Sequence, residues 1–177
     1  MLKLRPTMLV AVILAAAGMR LLPHPLNVSP VAAMGLFGGA YMRHKWAGFV
    51  APLAALFLSD LVLGFYPDMG IVYAATALTV CLGWWLRADR SPARVVGAAL
   101  AGSVVFYLVT NFGVWAFGSM YPRTVSGLMA CYVAAIPFLQ NTVAGNLAFT
   151  ALLFGGFALA ERWAPALREP AAQPAPA

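Results

Sequence analysis

Hydrophobic residues run through this chain in long blocks separated by short polar connections, and the block length fits helices that cross a membrane. A spanning helix needs about 20 mostly apolar residues. Six blocks are candidates: 6–22, 31–42, 46–64, 70–86, 93–117 and 125–163. The second is short, and the sixth has room for more than one element. Pro137, followed by Gln140 and Asn141, is expected to break the sixth block into a short helix or re-entrant piece and a full span starting near Leu139. The pattern predicts an all-α integral membrane protein, with six transmembrane helices over residues 1–164. Residues 165–177 hold four prolines and five alanines without apolar periodicity, and are expected to form a disordered cytoplasmic tail.

Composition agrees with a bilayer-embedded chain. It is 63% hydrophobic and 9% charged over 177 residues, with a mean hydropathy of +0.85. The start of the chain imitates a secretory signal, with Lys3 and Arg5 before an apolar run. Five further blocks with alternating connections favour a retained first span instead.

Charge then sets the expected orientation. If six spans alternate, Lys3, Arg5, Arg43, Lys45, Arg87, Arg90, Arg94, Arg162 and Arg168 share one side, leaving Arg20 and Arg123 on the other. Positive residues stay preferentially cytoplasmic, so both termini are expected there. The net charge of +6 is thus a topology signal, with no nucleic-acid partner implied.

The three connections on the opposite side, PHPLNVSP (23–30), FYPDM (65–69) and GSMYPRT (118–124), differ in kind from the basic turns. Their Pro, Asn, Asp, His and Tyr residues suit loops folded over a ligand, and equally suit ordinary turns and interface anchors. Candidate pocket residues are His24, Asn27, Tyr66, Asp68, Tyr73, Asn111 and Tyr121. Asp68 also fits as the N-cap of the fourth helix. Asp60, near the end of the third block, is either functional or a helix-end group reaching the headgroups. Trp84 and Trp85 precede Arg87 and fit an interfacial aromatic belt. Ala11 and Ala15 form a small-xxx-small surface that allows close helix approach.

Catalytic and metal constellations are missing from the sequence. Cys81 and Cys131 lie in separate apolar blocks and His24 and His44 in separate connections, so neither a disulfide framework nor a zinc cluster is supported. There is no Ser-His-Asp set, phosphate loop or H-E-x-x-H. If the chain transports actively, its energy must come from a partner or an ion gradient.

Four stretches carry a family resemblance: HPLNVSPVAAMGLFGGAY (24–41), PLAALFLSDLVLGFYPDM (52–69), TNFGVWAFGSMYP (110–122) and GLMACYVAAIPFLQNTVAGNLAFTALLFG (127–155). They resemble small six-span transport proteins similar to the substrate-binding S components of energy-coupling factor (ECF) vitamin transporters. The likeness covers nearly the whole chain except the tail. Within that family, Cys81 is similar in position to a cysteine of the solitary cobalamin-specific members.

The resemblance implies a bacterial inner-membrane protein that captures cobalamin on its outer face, with Cys81 as the axial cobalt ligand. It further implies Cys81-dependent removal of cyanide from cyanocobalamin, an ECF-type or other ATPase module as energising partner, and contact of Ala11 and Ala15 with a coupling subunit. A thiol beside a metal loses its proton outright, and thiolate donation weakens the bond on the opposite cobalt face. Thr79 and Tyr73 are placed to hydrogen-bond the ligand's amides, although Thr79 equally suits helix packing. Cys81 lies eleven residues beyond Gly70, about 16 Å along an ideal helix, so the corrin must descend about halfway through the bilayer core. Three alternatives stay open: an S component for another vitamin with Cys81 incidental, a membrane enzyme with a redox or nucleophilic Cys81, and a structural membrane subunit without a ligand.

Overall fold

A computed structural model describes residues 4–168. Helix α1 (Leu4–Gly18) ends in a 3-10 turn (Met19–Leu21) and is followed by α2 (Val31–Tyr41), α3 (Lys45–Leu63), α4 (Met69–Trp85) and α5 (Pro92–Phe117). Helix α6 (Val125–Thr150) continues through a π turn (Ala151–Gly155) into α7 (Gly156–Trp163). The described residues hold no strand, so the chain is an all-α bundle.

Four stretches are long and apolar enough to cross a membrane: Leu4–Leu21, Lys45–Leu63, Pro92–Phe117 and Val125–Trp163. Their outward side chains, such as Phe57, Leu61 and Val62 on α3 and Val104 and Leu108 on α5, are exposed hydrocarbon. That is the pattern of a multi-pass membrane protein, in which lipid takes the place of water.

Helix α2 is the centre. Every residue from Val31 to Tyr41 is buried, and α2 touches α1, α3, α4, α5 and α6. Small residues permit this. A Cβ added at Gly39 would overlap the Val80 carbonyl, and one at Gly83 would overlap the Leu36 carbonyl, so α2 and α4 meet backbone to backbone. Pro52 deprives the Gly48 carbonyl of its helical donor, and a Cβ at Gly38 would lie 3.0 Å from that oxygen.

Two arginines finish the C-terminus of α2. Arg87 Nε donates to the Gly39 carbonyl at 2.8 Å and its Nη2 to Met42 at 2.7 Å. Arg90 Nη2 donates to Ala40 at 3.0 Å, while its guanidinium lies 4.5 Å from the centre of the Tyr41 ring. Terminal carbonyls that no helical N–H reaches thereby gain cationic donors. Arg5 pairs with Glu161 at 2.5 Å, Arg94 pairs with Asp89 at 3.1 Å, and Lys45 stacks over Trp84. The basic connections therefore share one end of the bundle.

Two expectations change. Pro137 does not break the sixth block, because α6 is helical without interruption across it and Val125–Trp163 forms one 39-residue rod. Proline is tolerated inside a membrane helix where neighbours satisfy the freed backbone, and the irregularity falls instead at the π turn. The expected tail also begins too early. Pro165–Leu167 forms a 3-10 turn, Leu167 is buried and its carbonyl accepts from Arg5. The rest of the expected tail, 169–177, lies outside the described residues.

Candidate functional site

Because α2 has only 11 residues, about 16 Å of helix, while α5 has 26, about 39 Å, the bundle lacks a central helix at its loop-rich end. The connection from α1 to α2 crosses the opening. Asn141 on α6 holds it by donating to the Leu26 carbonyl at 3.0 Å. Val28 sits so close to Gly145 that an added Cβ would lie 2.9 Å from its Cα. Asn27 takes a φ of 63°, the left-handed conformation asparagine tolerates better than most residues.

The space left open is a cavity of about 350 Å³, at the small end of the range for pockets that take small molecules. Asn27, Ser29, Val31 and Ala32 border it where the chain enters α2. Asp68, Ile71 and Val72 come from the start of α4, and Tyr66 from the loop before it. Phe106, Tyr107, Thr110, Asn111 and Val114 form the α5 wall, and Ala135, Phe138, Leu139, Thr142 and Asn146 the α6 wall.

Hydrogen bonds order these walls. Thr110 Oγ1 donates to Phe106 at 2.8 Å, Asn111 Nδ2 to Tyr107 at 2.9 Å and Thr142 Oγ1 to Phe138 at 3.0 Å, each to the carbonyl one turn back. Tyr107 donates to the Tyr132 carbonyl and so ties α5 to α6. Deeper in, Asn146 Nδ2 donates to Ala99 at 2.7 Å and to Ser103 Oγ at 3.0 Å, and Thr150 donates to its Oδ1.

A buried ion pair adjoins the cavity. Asp60 is fully buried; Arg20 reaches within 2.8 Å of its Oδ1 and Tyr73 donates to its Oδ2 at 2.9 Å. The Arg20 approach to Oδ1 is an ionic contact without hydrogen-bond alignment. Arg20 also reaches Ser59 Oγ. Burial, followed by the charge of Asp60, pushes the Tyr66 phenol above its ordinary value, so Tyr66 stays a neutral donor.

Four candidate residues therefore meet at the cavity: Asn27, Tyr66, Asp68 and Asn111. Asp68 occupies the N-cap position of α4, but its carboxylate makes no capping bond. Tyr73 serves Asp60 instead of the cavity. His24 is exposed, with Nδ1 3.1 Å from the Pro25 carbonyl, and neither it nor Tyr121 borders the cavity. Trp115 pins the last loop by donating to the Pro122 carbonyl at 3.0 Å. Asp60 is neither a headgroup-seeking residue nor a cavity residue.

Cys81 lies apart from this cavity. Its side chain is exposed on the outer stripe of α4 with Leu78 and Trp85, which are 45% and 57% exposed. The inner stripe is Ala75, Thr76, Thr79, Val80 and Gly83. Two residues beyond Thr79 is a rotation of about 200°, which turns the thiol away from the bundle. Cys81 also lies about 14 Å along the axis beyond Val72, the last α4 residue at the cavity. Thr79 is buried, with its hydroxyl bonded to Thr76 and against Gly35, a packing role. No group of three or more metal-ligating side chains occurs among the described residues.

Of the two alanines expected to contact a partner, Ala11 is exposed on α1. Ala15 borders an apolar groove of about 270 Å³ between α1 and the α6–α7 rod.

Sequence reasoning passed over Tyr107, Thr142 and Asn146. A signal existed. Ser103, Tyr107 and Asn111 recur every four residues on α5, and Leu139, Thr142 and Asn146 recur at three and four on α6, the spacing of one helical face.

Comparison with known proteins finds one family. Residues 2–167 match the model of DUF6580, described as a family of unknown function. No curated protein and no solved structure matches.

Proposed function

We propose that this chain, which belongs to the DUF6580 family of unknown function, is a membrane receptor that captures a vitamin-sized solute in the cavity at its loop-rich end, as a step in uptake. The observation that carries this reading is the cavity itself, built where the shortness of α2 leaves the bundle open and roofed by a connection anchored to α6. Mixed aromatic and polar walls inside an apolar bundle are what small-molecule recognition requires. Having no phosphate loop, the chain depends on a separate module or an ion gradient for energy. A bacterial inner membrane location, with both termini cytoplasmic, follows from the family resemblance and from the clustering of arginines at the other end.

Among the expected ligands, this geometry favours a molecule smaller than cobalamin. A cavity of about 350 Å³ is small for a corrin macrocycle with its amide side chains, and the Cys81 thiol faces away from it. Cobalt ligation and decyanation by Cys81 are therefore not part of the proposal.

Thermal-shift titration of the detergent-purified protein with a panel of water-soluble vitamins tests the reading. At least one compound is expected to raise the unfolding temperature, Asn111→Ala and Tyr66→Phe to weaken that shift by about 3- to 30-fold in apparent affinity, and Cys81→Ala to leave it unchanged. A panel without a single stabilising compound sinks the receptor. Cyanocobalamin is the counter-test: a visible-spectrum change on mixing that Cys81→Ala abolishes would restore the cobalt-ligand mechanism and overturn the present one.

A further inference from the structure

We infer that the cavity selects a flat aromatic ligand bearing a cation or an amino group, with Asp68 as the residue that recognises it. The inference rests on the receptor reading above and adds the charge and hydrogen-bonding class of the ligand.

The first observation is the balance of charge. Arg20, Asp60 and Asp68 all act on Tyr66 at the cavity rim. Arg20 lies 2.8 Å from Asp60, and both are buried, with side-chain exposures of 11% and 0%. That pair neutralises itself, so the set sums to one negative charge, held on Asp68. Asp68 borders the cavity, does not cap its own helix, and among the described residues has no side-chain hydrogen bond or ion pair. Asp68 is only half-buried at the cavity, so its charge is accessible to a cation that enters there.

The second observation, independent of charge, is the direction of the hydrogen bonds. The donors of Thr110, Thr142 and Tyr107 are spent on backbone carbonyls, and the Asn111 amide has given a hydrogen to Tyr107. Asn146 has given both of its own. Apart from the Tyr66 hydroxyl, which stays a donor, and the second Asn111 N–H, what these walls still offer is lone pairs, including Asn111 Oδ1. Acceptors satisfy ligand N–H groups, and cannot satisfy a ligand carboxylate. Phe106 on the α5 wall and Phe138 on the α6 wall add apolar surface for a planar ring, and aromatic faces also attract cations. Asn27, Ser29 and the first turn of α2 supply donors beside these walls, suited to a neutral acceptor group on the same ligand.

The test uses three matched probes of one shape: benzamidinium (cation), benzamide (neutral) and benzoate (anion), measured by equilibrium binding to the full-length protein in detergent at neutral pH. Benzamidinium is expected to bind at least about tenfold more tightly than either of the others, as an ion pair near 4 Å at intermediate dielectric allows. Asp68→Asn should remove that preference. Equal binding of all three, or a preference for benzoate, overturns the inference and leaves the receptor standing. Failure of all three at millimolar concentration overturns the inference, while the vitamin panel decides the receptor. Should Asp68→Asn not fold, Asp68→Glu keeps the question open to decision: it is expected to retain the preference for the cation, and loss of preference in a folded Asp68→Glu protein counts against the assignment.

Discussion

Asp60 sits in the apolar end of α3, where an isolated charge costs several kcal/mol even after relaxation. It is held there by Arg20 at 2.8 Å and by the Tyr73 hydroxyl at 2.9 Å. Arg20 belongs to the turn that ends α1, so the pair fastens the first connection to α3 and α4 beside the cavity. Removing one partner leaves the other charged and buried. Arg20→Met and Asp60→Leu are each expected to cost about 3–5 kcal/mol, and the double variant to recover most of that loss, because no orphaned charge remains. Reversible unfolding in detergent measures all three. A double variant as unstable as the worse single variant would show that the two residues do not act as a pair.

At the scale of elements, α2 and α4 set the architecture by how closely their backbones meet. Gly39→Ala forces a methyl into the Val80 carbonyl and should destabilise by about 1–3 kcal/mol. Gly97→Ala on α5, where an added Cβ meets nothing within 4 Å, should instead stabilise by up to about 1 kcal/mol through helix propensity. Opposite signs for one chemical change separate packing from propensity, and equal signs would refute the backbone contact.

The same helices show what a sequence can reveal. Block lengths placed α1 to α5 to within a few residues, because bilayer-sized apolar runs are long and the turns between them charged or proline-rich. Burial all round α2 was not legible, since its apolar residues are uniform and mark no face. The site was half legible: loop composition pointed to Asn27, Tyr66 and Asp68, and the end of α5 to Asn111. Cys81 stands off the cavity because the helical period of Thr76, Thr79, Val80 and Gly83 faces inward and turns position 81 outward, a period that was legible in the sequence. Pro137 was read by its rule for water-soluble helices, whereas a helix packed in a bilayer keeps its course.

For the whole molecule, the two ends differ in chemistry and this difference predicts orientation. One end gathers Arg5, Arg87, Arg90 and Arg94, several of them engaged with the α2 carbonyls, Glu161 and Asp89. The other has the cavity, the proline- and tyrosine-containing loops, and Arg20 neutralised by Asp60. Insertion retains Lys and Arg on the cytoplasmic side, so the cavity should open away from the cytoplasm, where a scavenged solute arrives. In a Cys81→Ser background with the buried Cys131 retained, Ser119→Cys in the loop beside the cavity end should react with a membrane-impermeant maleimide in intact spheroplasts. Ala88→Cys, in the turn between α4 and α5, should react only after the membrane is opened. The reverse pattern would put the cavity on the cytoplasmic face, and the protein would then have to release or sense an internal solute instead of capturing an external one.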